Sequence, residues 1–256
     1  MRRLLPIAGA FAGLILANPA LAAPTEIVVR VLARDGKLVG NPAGGASVII
    51  RDTLTGAVLA SGKTAGSSGN TDELAVDPRT DQSVITGPGD AEYSATIDLA
   101  EPRRITVEIG APGLGENGGS AASSTQWVLP GKSPYGRNGW VLTLPGFMVD
   151  FLKPARHQEV PKGPVKVPIE ANIVLMCGCP LAVGGVWDPT KFDIQFTVTS
   201  NGAPVARGPL RYGGRANRFV GEFTAAKKAV YDIVVTAFDP ASGNSGVAET
   251  TFEVDN

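Results

Sequence analysis

The sequence contains one histidine, two cysteines and three methionines among its 256 residues. A single histidine cannot supply the two or three imidazole ligands of a typical catalytic zinc site. Serine catalysis needs a base beside the nucleophile, and the chain has neither a Gly-x-Ser-x-Gly motif nor a histidine to spare. The scarcity of these residues argues against the common hydrolase sites, and we predict a protein that is not an enzyme.

Neither sign of charge is in excess, since the formal net charge is −1. Beyond Arg2 and Arg3, no basic run is longer than the dipeptides Arg103-Arg104 and Lys227-Lys228. Proteins that bind nucleic acid normally carry a basic patch or stripe, so no nucleic-acid partner is predicted. After residue 22, no segment is long and apolar enough to span a membrane, which takes about 20 apolar residues.

The first 22 residues have the pattern of a secretory signal peptide. Two arginines at positions 2 and 3 precede an apolar run over residues 4–16, and Asn18-Pro19 interrupts that run. Ala20-Leu21-Ala22 then forms a small-x-small cleavage site. We predict cleavage after Ala22, which would leave a mature chain that is periplasmic or secreted and would change the net charge from −1 to −3.

The remaining chain predicts an all-β protein of two β-sandwich domains in tandem. It is rich in glycine and proline, with 32 and 20 residues, and it contains short runs of valine, isoleucine and threonine between turn residues. We expect one sandwich over residues 23–154 and a second over residues 155–256. The predicted strands lie near residues 25–32, 46–52, 57–62, 91–99, 104–109, 125–129, 139–144, 165–176, 192–199, 204–210, 218–223, 229–238 and 247–254. Residues 64–89 are expected to be a long loop, and the prolines around residue 155 predict a stiff linker.

Two stretches resemble known families. Residues 45–60, GASVIIRDTLTGAVLA, are similar to the opening hairpin of transthyretin-like, carboxypeptidase-regulatory-like modules. That resemblance implies a small β-sandwich with an accessory or binding role. Residues 231–246, YDIVVTAFDPASGNSG, resemble the last hairpin of bacterial immunoglobulin-like and fibronectin-type modules. The second resemblance implies an immunoglobulin-like fold and places Tyr231 in the core.

The only two cysteines, Cys177 and Cys179, are separated by a single residue and follow a predicted strand. In an oxidising compartment a thiol pair this close forms a disulfide or holds a metal. Three interpretations stay open. The pair is a structural disulfide, a thiol–disulfide exchange centre, or a site for Cu(I) in which Met176 or His157 provides a third ligand. A further hypothesis is a calcium site in the long loop, formed by the carboxylates of Asp72, Glu73, Asp77 and Asp81.

From these observations we predict a periplasmic or secreted, non-enzymatic binding or accessory protein. We expect a protein partner in the cell envelope, and no cofactor unless Cu(I) binds at the cysteines. The alternatives are a copper-binding or thiol–disulfide protein that uses the Cys-Gly-Cys motif, and a structural or adhesive module of the cell surface.

Overall fold

Strands make up most of the computed structural model, which describes residues 22–77, 80, 83–112, 119–160 and 163–255. The predicted signal peptide up to residue 21 and residues 161 and 162 of the predicted linker lie outside the described residues. The strands of the first half are β1 Ala23–Ala33, β2 Ser47–Asp52, β3 Val58–Lys63, β4 Tyr93–Leu99, β5 Arg103–Gly110, β6 Ala121–Val128 and β7 Trp140–Leu144. Those of the second half are β8 Phe147–Lys153, β9 Gln158–Val160, β10 Val165–Leu175, β11 Asp193–Ser200, β12 Ala203–Pro209, β13 Arg211–Tyr212, β14 Arg218–Ala225, β15 Ala229–Phe238 and β16 Ser245–Val254.

Helical structure in the described residues is limited to short turns. Three 3₁₀ turns span Asn41–Ala43, Gly136–Asn138 and Pro189–Lys191, and a five-residue π-helical turn spans Asp72–Val76. None of the described helices has the length and apolar character needed to cross a membrane. The all-β prediction is confirmed.

The first sandwich packs a sheet ordered β4-β1-β7 against a sheet ordered β3-β2-β5-β6. Strand β1 runs antiparallel to β4 and parallel to β7. Alternate side chains of β1, from Ile27 to Ala33, are buried between the sheets, because successive side chains of a strand point to opposite faces. The predicted hairpin over residues 46–62 is confirmed as β2 and β3, which pair antiparallel around the turn at Gly56.

The second sandwich has the strand arrangement of an immunoglobulin-like domain. One sheet is ordered β13-β14-β10-β8, and the other is ordered β12-β11-β15-β16-β9. Strand β9 pairs parallel with the end of β16, whereas β8, just before it in the chain, pairs with β10. The first two strands of this sandwich therefore belong to different sheets. Asn201 and Gly202 both have positive φ, 49° and 75°, which is the geometry of a tight hairpin turn between β11 and β12. The predicted Asn-Gly hairpin is therefore confirmed.

Tyr231 lies at the start of β15 with its ring buried in this second core. Its hydroxyl donates to the backbone carbonyl of Lys227, 2.8 Å away. The ring stacks on Phe252 with the centroids 5.2 Å apart and also contacts Phe223. The contact from a tyrosine back to the chain just before its strand is typical of immunoglobulin-like sandwiches. Tyr231 is a core aromatic, as predicted, and it also fixes the corner that leads into β15.

The predicted linker contains a strand that belongs to the second sandwich. Residues 147–153 form β8, which is hydrogen-bonded to β10, and Lys153 makes an ion pair with Glu170 of β10 at 3.2 Å. The predicted division between residues 154 and 155 therefore separates β8 from the sheet to which it belongs. Phe147 is buried, and Met148, Val149 and Phe151 are partly buried on this edge strand. The connection between the sandwiches shortens to Pro145 and Gly146.

The described part of the long loop over residues 64–89 makes specific contacts with the first sandwich. Ala65 and Ser67 form isolated bridges with Glu92 and Asp90. Leu74, on the π-helical turn, is buried against Leu38 and Ala91 in a small apolar cluster. Leu74 and the two bridges therefore hold the described part of this loop against the first sandwich.

Candidate functional site

The Cys-Gly-Cys motif forms a disulfide in the turn after β10. Cys177 and Cys179 are joined with an S–S distance of 2.04 Å, and their Cα atoms are 5.2 Å apart. Both residues are buried, with 1% and 3% of their surfaces exposed. Gly178 between them has φ of +73°, a conformation that favours glycine, and its N–H donates to Leu175 O at 2.8 Å.

This disulfide is pressed against the first sandwich. A Cβ atom built on Gly36, in the turn that follows β1, would lie 3.0 Å from Cys177 Sγ. A Cβ atom on Gly178 would lie 3.2 Å from Pro42 O, in the first 3₁₀ turn. Larger residues at either glycine would push the two sandwiches apart. The buried apolar side chains of both sandwiches form one contiguous cluster that includes both cysteines, so the disulfide is part of the junction between the two halves.

Trp187 makes a second link across the same junction. Its indole Nε1–H donates to the backbone carbonyl of Asp35 at 2.6 Å. Asp35 lies in the turn that also contains Gly36. The tryptophan lies in the loop that begins at the disulfide, and its own backbone carbonyl accepts from Ala182 N at 3.1 Å. The cysteine loop therefore contacts the first sandwich through a sulfur atom and through an indole N–H.

Internal hydrogen bonds hold this loop in shape. Asn217 Oδ1 accepts from Leu181 N at 2.8 Å, and Asn217 N donates to Leu181 O at 3.0 Å. Asp188 accepts from Thr190 N at 2.9 Å and from Gly184 N at 3.0 Å. The backbone N–H of Thr190, followed by that of Gly184, lowers the pKa of Asp188 below its ordinary value. A loop held from both sides in this way positions Trp187 without help from a ligand.

A third link joins the connecting segment to the last turn of the second sandwich. Asn244, in the turn between β15 and β16, is buried. Its Oδ1 accepts the Gly146 N–H, and its Nδ2 donates to Gly146 O at 3.3 Å. The asparagine therefore satisfies both backbone groups of the residue that connects the sandwiches. Sequence reasoning placed Asn244 only in a turn, because its partner is 98 residues away in the chain.

Met176 and His157, the predicted additional ligands, have other surroundings. Met176 is buried, and its Cε lies 2.6 Å from the position of a Cβ on Gly146. His157 is exposed on the second sandwich. Its backbone N–H donates to the backbone carbonyl of Thr251 at 2.8 Å, and its imidazole Nδ1 lies 3.2 Å from Thr251 Oγ1. The described contacts of Met176 and His157 therefore do not involve the cysteine sulfurs.

Metal binding at this site would require a different chemical state. Cu(I) is held by thiolates, and both sulfurs here are bonded to each other. Within the described ranges, no group of three or more histidine, cysteine, aspartate or glutamate residues is close enough to hold a metal ion. Asp81 of the predicted calcium site lies outside the described residues. The Cu(I) site of Cys177, Cys179, Met176 and His157 stays a prediction that concerns the reduced protein.

No family model matches this chain, and no curated protein matches it. Solved structures with similar architecture include an engineered protein solved at 1.98 Å, at 14% identity and a TM-score of 0.33. The match covers 47% of this chain, which spans only 22% of that protein. They also include the fibronectin(III)-like modules of Clostridium thermocellum CbhA, at 13% identity, 91% and 87% coverage of the two chains and a TM-score of 0.29.

A third similar structure is the tip fimbrial protein Mfa3 from Porphyromonas gingivalis with a C-terminal truncation. It is 12% identical, with 90% of this chain and 81% of that chain covered and a TM-score of 0.28. At such low scores these similarities carry no argument about function. The chain is an all-β protein of tandem sandwiches, and its own geometry has to support any statement about its role.

Proposed function

We propose that this chain is a periplasmic or secreted, non-enzymatic accessory protein that presents two fixed β-sandwiches to a protein partner in the cell envelope. The observation that carries the proposal is the junction at the cysteine loop. The buried disulfide packs against the first sandwich, the Trp187 indole is hydrogen-bonded to it, and Asn244 is hydrogen-bonded to the connecting residue Gly146. A fixed angle between two sandwiches is useful to a protein that holds partners apart or in register.

The burial of the disulfide supports a structural role over thiol exchange. Exchange requires that an attacking thiolate reach one sulfur along the S–S axis, and reactive cysteines are normally partly exposed. Here both sulfurs lie among apolar side chains at the junction. A structural disulfide at this position would stabilise the orientation of the two sandwiches without the need for a redox partner.

The details of the first sandwich and of export belong to the same proposal. The β2–β3 hairpin with its turn at Gly56 supports a transthyretin-like assignment for the first half. The signal-like sequence of the first 22 residues supports export. A structural or adhesive role at the cell surface uses the same geometry and differs from the proposed function only in the partner.

The experiment that tests the proposed function uses the mature chain, residues 23–256, produced with its signal and purified from the periplasm. Its N-terminal sequence should begin at Ala23. Its co-sedimentation with isolated cell envelopes should be saturable and should disappear when envelope proteins are digested beforehand. Lack of saturable binding would overturn the proposal, and so would an N-terminal sequence that retains the first 22 residues in exported protein.

A further inference from the structure

The outer face of the β3-β2-β5-β6 sheet carries an exposed tryptophan. Trp127, on the edge strand β6, is 64% exposed, a larger fraction than for any other aromatic side chain in the described residues. The next residue, Val128, points into the core and is 1% exposed. The indole therefore lies on the solvent face of a rigid strand, and its apolar ring is available to a ligand.

A row of hydroxyl groups crosses the same face beside Trp127. Thr53 Oγ1 lies 2.8 Å from Thr106 Oγ1, and Thr106 Oγ1 lies 2.8 Å from Thr125 Oγ1. The row runs from the turn that follows β2, across β5, to β6, and Thr125 is two residues before Trp127 on β6. Residues two apart share one face of a strand, so the indole and the hydroxyl row face solvent together. Each of these hydroxyls keeps further hydrogen-bonding capacity.

A paired charge follows the hydroxyl row. Arg51 Nε donates to Glu108 Oε2 at 2.9 Å between β2 and β5. Ser123 of β6 is directly opposite Glu108. The guanidinium and the carboxylate balance each other while still offering donors and acceptors. Arg104 of β5 lies directly opposite Trp127, and Lys63 of β3 lies opposite Ser47, on the same face. The face therefore presents many hydrogen-bonding groups with a small excess of positive charge.

The far end of the face is a shallow depression of about 480 Å³. Its floor and rim are formed mainly by small residues, among them Ser47, Gly110, Ala121 and Ser123. A Cβ on Gly110 would lie 2.6 Å from Ser47 Oγ, so glycine keeps this depression open. From Trp127 to Ala121, six residues along β6, the face extends for about 20 Å at ~3.4 Å per residue.

We propose that this face, termed the Trp127 face, binds an extended polysaccharide chain. A pyranose ring has a flat C–H face that packs on an indole and a rim of hydroxyls that bond to threonine, arginine and carboxylate groups. The flat face, elongated along β6, suits a straight β-1,4-linked chain that runs from Trp127 towards Ala121. Arg104, opposite Trp127, and the Arg51–Glu108 pair offer hydrogen-bonding groups to the hydroxyls of such a chain. This ligand goes beyond the protein partner proposed above and does not depend on it.

The same observations disfavour a protein at this face. The core of a protein interface is a cluster of apolar and aromatic side chains surrounded by a polar rim. On the Trp127 face the indole stands at one end, and the centre consists of Thr106, Thr125, Arg51 and Glu108 with a single apolar neighbour, Ile49, opposite Glu108. A polar centre with an aromatic end matches a sugar chain better than it matches a protein surface.

Titration calorimetry of the full mature chain with cellohexaose and chitohexaose tests the proposal. We expect at least one of the two neutral chains to bind, and Trp127→Ala to weaken that binding by about tenfold or more. Thr125→Val, which removes a hydroxyl and keeps the shape of the side chain, should weaken it by a smaller factor. The matched control is Phe238→Ala, an aromatic on the second sandwich that is 42% exposed, and it should bind as the wild type does.

Two results would overturn the proposal. In the first, neither hexasaccharide binds the wild-type chain at millimolar concentration. In the second, Trp127→Ala binds as tightly as the Phe238→Ala control while its unfolding curve stays unchanged. If Trp127→Ala instead abolishes envelope binding that is protease-sensitive, the face is a protein interface and the polysaccharide assignment is wrong. Saturable binding to envelope proteins by the Trp127→Ala variant would leave the proposed function intact.

Discussion

Trp187 donates its indole N–H to the backbone carbonyl of Asp35, and this 2.6 Å contact joins residues 152 positions apart in the chain. It lies beside the Cys177–Cys179 disulfide, whose Cys177 sulfur packs against Gly36. The two contacts fix the cysteine loop of the second sandwich to the first turn of the first sandwich. These contacts should therefore contribute to the free energy of unfolding.

Replacing Trp187 with phenylalanine should destabilise the protein by about 1 kcal/mol, because the hydrogen bond to Asp35 is lost while most of the aromatic surface remains. The free energy of unfolding in urea measures this effect. Trp127→Phe is the matched control, since Trp127 faces solvent and surface changes usually stay within about 0.5 kcal/mol. Equal stabilities of the two variants would show that the Trp187 contact contributes nothing.

Replacing Asn244 with alanine should lower the free energy of unfolding by about 2 kcal/mol. The Gly146 N–H would stay buried without an acceptor, and an unsatisfied backbone group of this kind costs about 1–3 kcal/mol. Denaturant unfolding and limited proteolysis at residues 144–147 report the loss. Ala241→Ser, in the same turn but exposed, is the control. Wild-type protease resistance in Asn244→Ala would contradict the role given to this side chain.

Removing both cysteines, as Cys177→Ala with Cys179→Ala, should destabilise the protein by about 2 kcal/mol. The disulfide closes a very short loop, so it restricts the unfolded chain only slightly, and most of the loss comes from buried volume removed at the junction. The control is Val183→Ala, which is exposed in the same loop. If the double variant is as stable as the control, the disulfide has no structural role.

Asp52 gives the first sandwich a dependence on acid pH. The backbone N–H of Thr55 and then the Arg103 guanidinium, at 2.7 Å, lower the pKa of Asp52 to about 2. Because the folded state favours the ionised form, its contribution is complete above the ordinary pKa near 4 and is lost as the pH falls towards 2. Between pH 4 and pH 2, wild-type stability should fall more steeply than that of Asp52→Asn.

The second half of that test uses Arg103→Gln, which removes one cause of the lowered pKa and leaves the backbone donors. Its slope of stability against pH should lie between those of the wild type and Asp52→Asn. Parallel curves for all three proteins would mean that this carboxylate is not held as described.

Much of the fold was predictable from the sequence because alternation is a local signal. The predicted strand over residues 229–238 has the bounds of β15, and the hairpin at Asn201-Gly202 follows from the turn residues alone. Strand β8 was missed because Pro145 and Pro154 flank it and gave it the composition of a linker. The π-helical turn was missed because its five residues, Asp-Glu-Leu-Ala-Val, are too few to show a helical period.

The candidate site was predictable in its residues and unpredictable in its surroundings. Two neighbouring cysteines after a strand indicate a disulfide as one of three options, and the structure contains that disulfide. Its position against Gly36 and Pro42 arises from tertiary packing between distant parts of the chain, and no local pattern encodes it. The Trp127 face was missed for the same reason, since Thr53, Thr106 and Thr125 come from a turn and two strands that are distant in sequence.

The most direct test of the structural role of the disulfide is an intact-mass measurement of periplasmic protein alkylated without reductant, once folded and once denatured. We predict a mass lighter by two hydrogens, no bound copper and no alkylation in either state, followed by alkylation of both cysteines only after reduction in denaturant. Two thiols that react with the alkylating agent in the folded protein, or a mass increase of one copper under native conditions, would contradict a buried disulfide at the junction.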